Sequence, residues 1–102
     1  MYGNPQRRTS SEVQQLRRAG GLWLKHLRER AGLSQRQLSA AVGAEYYTFI
    51  SQLETGRGRI PPDRYEAWAA ALNVPPRKFV RSLLRYYDPI TFSLLFEEEE
   101  IG

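Results

Sequence analysis

Between Gly32 and Gly56 lie two segments with helical apolar spacing, each about two turns long, separated by little more than Gly43-Ala44. Helices that short do not persist alone in water, because an isolated helix below about 12–15 residues is marginal. They must bury their apolar faces against each other and against further partners. Ser34 is a good N-cap for Gln35–Val42, on which Leu38 and Val42 stand one turn apart. The second segment, 45–54, carries Tyr46, Ile50 and Leu53 on one face. Gly43 can take positive φ, so the chain can reverse sharply and cross the two helices steeply. With Leu38, Val42, Ile50 and Leu53 turned to the core, the second helix keeps one polar face: Tyr47, Thr48, Ser51 and Gln52.

The rest of the chain supplies the partners. Residues 1–10 show no periodicity and read as a flexible basic arm carrying Arg7 and Arg8. Ser10 or Ser11 caps a helix with Val13, Leu16, Trp23, Leu24 and Leu27 at three-and-four spacing. Gly20-Gly21 costs that helix about 2 kcal/mol of propensity, which predicts a break and a better piece from Leu22 to Arg30. Gly32 is placed for a left-handed end. Pro61-Pro62 opens a helix over Asp63 to Leu72 that buries Tyr65, Trp68, Ala69 and Leu72. Asn73 to Pro75 ends it, and Pro76 opens a fifth helix to Tyr87 with Phe79, Val80, Leu83 and Leu84 inward. The fold class is therefore all-α, five short helices over residues 11–87 sharing one core. Beyond it, Asp88-Pro89 favours a helix while Ile90 to Phe96 alternates like a strand. Either form exposes Ile90, Phe92, Leu94 and Phe96, the expected dimer interface, and an acidic tail, Glu97–Glu100, follows.

Composition narrows the chemistry. The 102 residues contain no cysteine and one histidine, which removes disulfides, thiolate zinc sites and paired-histidine metal sites. His26 sits among Lys25, Arg28 and Arg30 and reads as a surface residue. No paired carboxylates and no nucleophile–base set are spaced for catalysis, so no enzyme activity, cofactor or metal is expected. The longest apolar run, Ala67 to Leu72, is far below the roughly 20 residues of a membrane span, and the N-terminus lacks a signal-like apolar stretch. A soluble, cytoplasmic protein is the expectation. Net charge is +4 overall, but residues 1–96 hold 15 basic against 7 acidic side chains, and 13 of the 15 are Arg. An Arg-rich body suits the planar, multi-donor recognition of phosphates and guanine edges, and points to nucleic acid.

Two short helices joined by a tight glycine turn form a helix-turn-helix unit. Leu33-Ser34-Gln35, Leu38, Gly43, Ile50-Ser51-Gln52-Leu53-Glu54, Gly56, Pro61 and Trp68 to Val74 together resemble the Cro/phage-repressor class of helix-turn-helix regulators, the xenobiotic-response-element family. The resemblance spans roughly residues 22–84. It implies a lambda-repressor-like five-helix bundle that binds double-stranded DNA, usually as a homodimer, and regulates transcription, most often by repression. Six residues separate Gly43 from Ile50 where the family usually has five, so either the turn is longer or the reading helix starts early. Counted back from Ile50, Tyr47, Thr48 and Gln52 take the family's base-reading positions, with Ser51 on the same face, and Glu45 falls at the helix start. Gln52 suits adenine, and Thr48 a thymine methyl. Tyr46 and Phe49 read as core. Gln35, at a helix start that the family uses for phosphate, and neighbouring Arg36 are phosphate candidates, as are Arg57 and Arg59 in the glycine loop. Arg7 and Arg8 are candidates for an adjacent minor groove. Two competing readings remain: an antitoxin or accessory regulator whose C-terminal segment holds a partner protein, and an interaction adaptor that does not bind DNA.

Overall fold

Helix α1 (Ser10–Arg30) runs unbroken through Gly20-Gly21, against the expected interruption. The computed structural model, which describes residues 10–97, gives the reason in packing. A Cβ on Gly20 would lie 2.8 Å from Tyr86 Cβ, and one on Gly21 would lie 2.6 Å from the Leu53 carbonyl oxygen. The two glycines are where neighbouring helices come closest to α1. Their propensity cost is offset by apolar burial, which contributes about 1.5–3 kcal/mol for each fully buried Leu, Ile or Phe.

Gly32 ends α1 at φ +77°, as its position suggested. Helix α2 (Gln35–Val42) opens with reciprocal caps: Ser34 Oγ accepts from the Gln37 N–H at 3.0 Å, and Gln37 Oε1 accepts from the Ser34 N–H at 2.8 Å. Gly43 closes it at φ +72°, and the Ala44 N–H donates back to the Ser39 carbonyl. Helix α3 covers Thr48–Glu54. The extra residue has therefore lengthened the turn: the helix begins three residues later than expected, and Glu45 and Tyr46 lie in the connection. Tyr46 is 66% exposed rather than core, because its position precedes the helix whose face was to bury it. Phe49 does pack, half-buried, on the core.

A single 3-10 turn, Pro62–Arg64, leads into α4 (Tyr65–Ala71), and α5 spans Pro76–Tyr87. Leu24, Leu38, Ile50, Leu53, Trp68, Phe79 and Leu83 form the buried centre. Helix α1 packs on α3 and α5, α2 on α4, and α4 on α5. Trp23 extends this centre by stacking on Phe79, with ring centroids 5.5 Å apart. Val13, expected on the apolar stripe of α1, is exposed instead. Ile60 in the loop after α3 is also buried, and its N–H donates to Tyr87 Oη at 3.1 Å.

The two readings of residues 88–96 resolve as helix α6 (Pro89–Phe96). The Asp88 carboxylate accepts from the Thr91 N–H at 3.1 Å and from the Thr91 hydroxyl at 2.7 Å. Those bonds hold its pKa below the ordinary carboxylate range. Helical periodicity redistributes the apolar residues that alternation had put on one face. Phe92 is buried in its own chain, beneath the Arg85 guanidinium and beside Phe96, and so is not exposed as expected. Phe96 is half-buried under Arg81. Ile90, Leu94 and Leu95 are the exposed apolar residues of α6.

Candidate nucleic-acid interface

Helix α3 is seated by one face and by its last residue. Ile50 and Leu53 enter the core, and Glu54 beside them is buried in an ion pair with Arg28. Arg28 Nε donates to Glu54 Oε2 at 2.6 Å and Nη2 to Oε1 at 3.1 Å, while Nη1 donates to the Leu33 carbonyl at 2.8 Å. The hydrogen bond to Glu54 raises the guanidinium pKa still further. No buried side-chain nitrogen or oxygen among the described residues lacks a partner. The pair ties α1 to α3 and to the start of α2.

This pair is not among the expected site residues, although the sequence carries a signal for it. Arg28 follows Leu24 by four residues and Glu54 follows Ile50 by four, so each continues an apolar stripe. A charge placed on a buried stripe needs a buried opposite charge.

Gln35 connects to the same cluster: its Nε2 donates to Glu54 Oε1 at 3.0 Å. One of its two amide N–H donors is thus used inside the protein, and the half-buried side chain fixes the first turn of α2 against the last residue of α3. Arg36, next along, is exposed and lays its guanidinium over the Tyr47 ring, 4.1 Å from the centroid. Stacking of this kind leaves the in-plane N–H donors of Arg available. It joins a phosphate candidate on α2 to a base-reading candidate on α3.

Tyr47, Thr48 and Gln52 are exposed and Ser51 is half-exposed, so the polar face projects from the bundle along α3. Tyr47 is the N-cap residue, at φ −66° and ψ −22°, and its side chain makes no capping bond. The helix is entered through backbone bonds instead, from the Phe49 N–H to the Tyr46 carbonyl and from the Ile50 N–H to the Tyr47 carbonyl.

After Glu54 the chain closes with Gly56 at φ +84°, and the Arg57 N–H donates to the Gln52 carbonyl at 2.8 Å. This is the six-to-one bond of a left-handed helix end. A Cβ at Gly56 would lie 2.8 Å from the Arg18 backbone nitrogen, so the loop passes directly over α1. Arg57 is exposed. Arg59 is also exposed and stacks on the Tyr87 ring, 4.9 Å from its centroid. Tyr87 itself is buried, and desolvation pushes its phenol pKa up.

The structure thus places Arg36 and Tyr47 at the N-terminal end of α3 and Gln35, Arg57 and Arg59 towards its C-terminal end, with Thr48, Ser51 and Gln52 between them. Arg7 and Arg8 lie outside the described residues. His26 is exposed, and among the described residues no three His, Asp or Glu side chains gather to hold a metal. No helix among them is long and apolar enough to cross a membrane.

No curated protein matches the chain. A family model described as helix-turn-helix matches residues 24–79, from the middle of α1 into α5 and over more than half of the sequence. It leaves residues 10–23 of α1 and all of α6 outside the match. The matched residues hold the capped α2, the Gly43 turn and the seated α3, and the chain belongs to the Cro/C1-type helix-turn-helix family, the xenobiotic-response-element family of DNA-binding regulators, which is not an enzyme family.

Proposed function

We propose that this protein is a sequence-specific repressor of transcription that reads the major groove of duplex DNA with α3 and acts as a homodimer in the cytoplasm. The observation that carries the reading is the polar face of Tyr47, Thr48, Ser51 and Gln52, exposed along a helix whose other side is fixed by Ile50, Leu53 and the buried Glu54. A rigid seat with a free polar face is what base readout requires. Gln52 offers a donor–acceptor pair to adenine, and Thr48 offers its methyl to thymine. Arg36, Arg57 and Arg59, with the remaining N–H of Gln35, take the flanking phosphates and set the helix in register.

In this reading the chain divides into a basic arm at 1–10 with Arg7 and Arg8 in the minor groove, a DNA-binding domain at 11–87, and a C-terminal segment at 88–102 that dimerises. Exposed Ile90, Leu94 and Leu95 support the last assignment, with Phe96 at their edge. One short reading helix contacts few base pairs, and a twofold dimer doubles the site. The same exposed residues support a second reading, in which α6 holds a partner protein and the chain is the antitoxin or accessory regulator of a small operon.

Selection of bound sequences from a random duplex library tests the proposal. A palindrome with half-sites about 10 base pairs apart is expected, with binding that weakens steeply as salt rises. Failure to enrich any sequence overturns base readout, and enrichment of a single unpaired half-site overturns the homodimer.

A further inference from the structure

We propose that Arg17 and Arg18, on the part of α1 that precedes the family match, join Arg57 and Arg59 in a second DNA-backbone contact beside the reading helix. The inference rests on the duplex-DNA reading of α3.

The backbone brings the four residues together. Gly56, which ends α3, sits so close to α1 that an added Cβ would meet the Arg18 nitrogen at 2.8 Å and the Arg17 carbonyl carbon at 3.0 Å. The loop with Arg57 and Arg59 therefore starts on the Arg17–Arg18 backbone. Tyr87 gathers two of the charges. The Arg17 guanidinium lies 5.4 Å from its ring centroid and that of Arg59 lies 4.9 Å from the same centroid. The ring is fixed by burial and by the bond from the Ile60 N–H. Among the described residues neither Arg has a carboxylate ion pair; Arg28 with Glu54 is the pair found there. Asp88 acts on Arg59 electrostatically, but its oxygens accept from Thr91.

Two like charges gathered at one phenol raise the positive potential of the surface around them, which favours an anion there. Stacking occupies the π face of each guanidinium and leaves its planar fork of donors free. That fork matches phosphate geometry. Arg18, Arg57 and Arg59 are exposed and Arg17 half-exposed, so the charges are spread over an open surface rather than enclosed in a pocket. An open surface suits the phosphodiester backbone of a long polyanion, here the strand that flanks the C-terminal end of α3.

The test uses the full chain with two probes: a duplex selected from a random library and an arbitrary-sequence duplex of equal length. The slope of log affinity against log salt is measured for the wild type, Arg17→Gln and Arg18→Gln. Each substitution is expected to lower the slope by about 0.9, weaken both duplexes by the same factor and leave base preference intact. Arg18→Gln alters an exposed helix position, so it reports even where Arg17→Gln disturbs packing on Tyr87. Unchanged slopes in both variants, against a salt-sensitive wild type, overturn the inference and leave the DNA reading standing. Altered base preference also overturns it, since a backbone contact carries none. A wild type without salt-sensitive duplex affinity overturns the DNA reading itself, and this inference with it.

Discussion

At its C-terminal end α3 is held from several sides, by Leu53 in the core, by the buried Arg28–Glu54 pair, by Gln35, and by the carbonyls that meet Gly21. At its N-terminal end Tyr46 and Tyr47 lie exposed, no side chain caps the helix, and the ties are the half-buried Phe49 and the Arg36 guanidinium over the Tyr47 ring. One end fixes where the helix sits, and the other presents what it reads. Substitutions at the two ends should therefore separate, with stability lost at one and base preference lost at the other.

The largest effect is expected from the buried pair. Glu54→Ala strands the Arg28 guanidinium in the core, which costs about 3–5 kcal/mol when one partner of a buried ion pair is removed. Replacing both, Arg28→Met with Glu54→Leu, should restore most of that loss, because well-packed apolar substitutes are often neutral or stabilising. Urea denaturation of the single and double variants checks this. Equal destabilisation by both would mean that the bonds to Leu33 and Gln35, and not the pair, hold α3.

Gly21→Ala sets propensity against packing. Propensity alone predicts a gain of about 1 kcal/mol from alanine within a helix. The new Cβ would press into the Leu53 and Glu54 carbonyls, which are backbone atoms and can yield only by moving α3 away from α1. Overpacking of that kind costs about 1–3 kcal/mol, so the melting temperature should fall. A rise would show that α1 and α3 have slack.

The same contest explains what could be read from the sequence. Ser34, Gly43, Pro76 and Asp88 act through local geometry, and each sits where it was expected: at a cap, in the turn, at a helix start, at a second cap. Gly20-Gly21 failed as a local signal because its meaning is tertiary. The glycines admit Tyr86 and the α3 carbonyls, and spacing along one chain cannot reveal what lies across from it. Of the candidate site, the polar face of α3 was legible from the register of Ile50, and the start of the helix was not. The stripe marks Arg28 as buried but does not name its partner, and the partners of Arg28, Ile60 and Tyr87 are not legible because each lies 26 or 27 positions away.

Tyr87→Phe tests the loop that follows the fixed end. The substitution keeps the ring for Arg17 and Arg59 but removes the acceptor of the buried Ile60 N–H, at a cost of about 1–3 kcal/mol. Burial raises the Tyr87 phenol pKa above its usual value of about 10, so its stabilisation is complete below that pH. It is lost as pH rises through the raised value, where the folded protein must ionise a buried phenol. The stability gap between wild type and Tyr87→Phe should thus be widest near neutrality and close in strong alkali. A gap independent of pH would mean that the lost hydroxyl acts by packing alone.

The smallest effect on the fold is expected on the exposed reading face. Gln52 is exposed and its side chain makes no hydrogen bond within the described residues, so Gln52→Ala should leave stability within about 0.5 kcal/mol of wild type. On the selected duplex the same substitution should cost about 1–3 kcal/mol and relax discrimination at one base pair of each half-site, since adenine loses a bidentate partner. Thr48→Ala should behave alike at a neighbouring base pair through the lost methyl and hydroxyl. Arg57→Ala, at the far side of the same helix, should instead weaken every duplex equally and lower the salt slope by about one unit. Competition binding against single-base operator variants, run beside thermal melts, separates these outcomes. If Gln52→Ala melts as wild type and keeps full base discrimination, the face opposite Ile50 does not read bases. The longer turn after Gly43 would then have rotated the reading residues towards Glu45 and Tyr46.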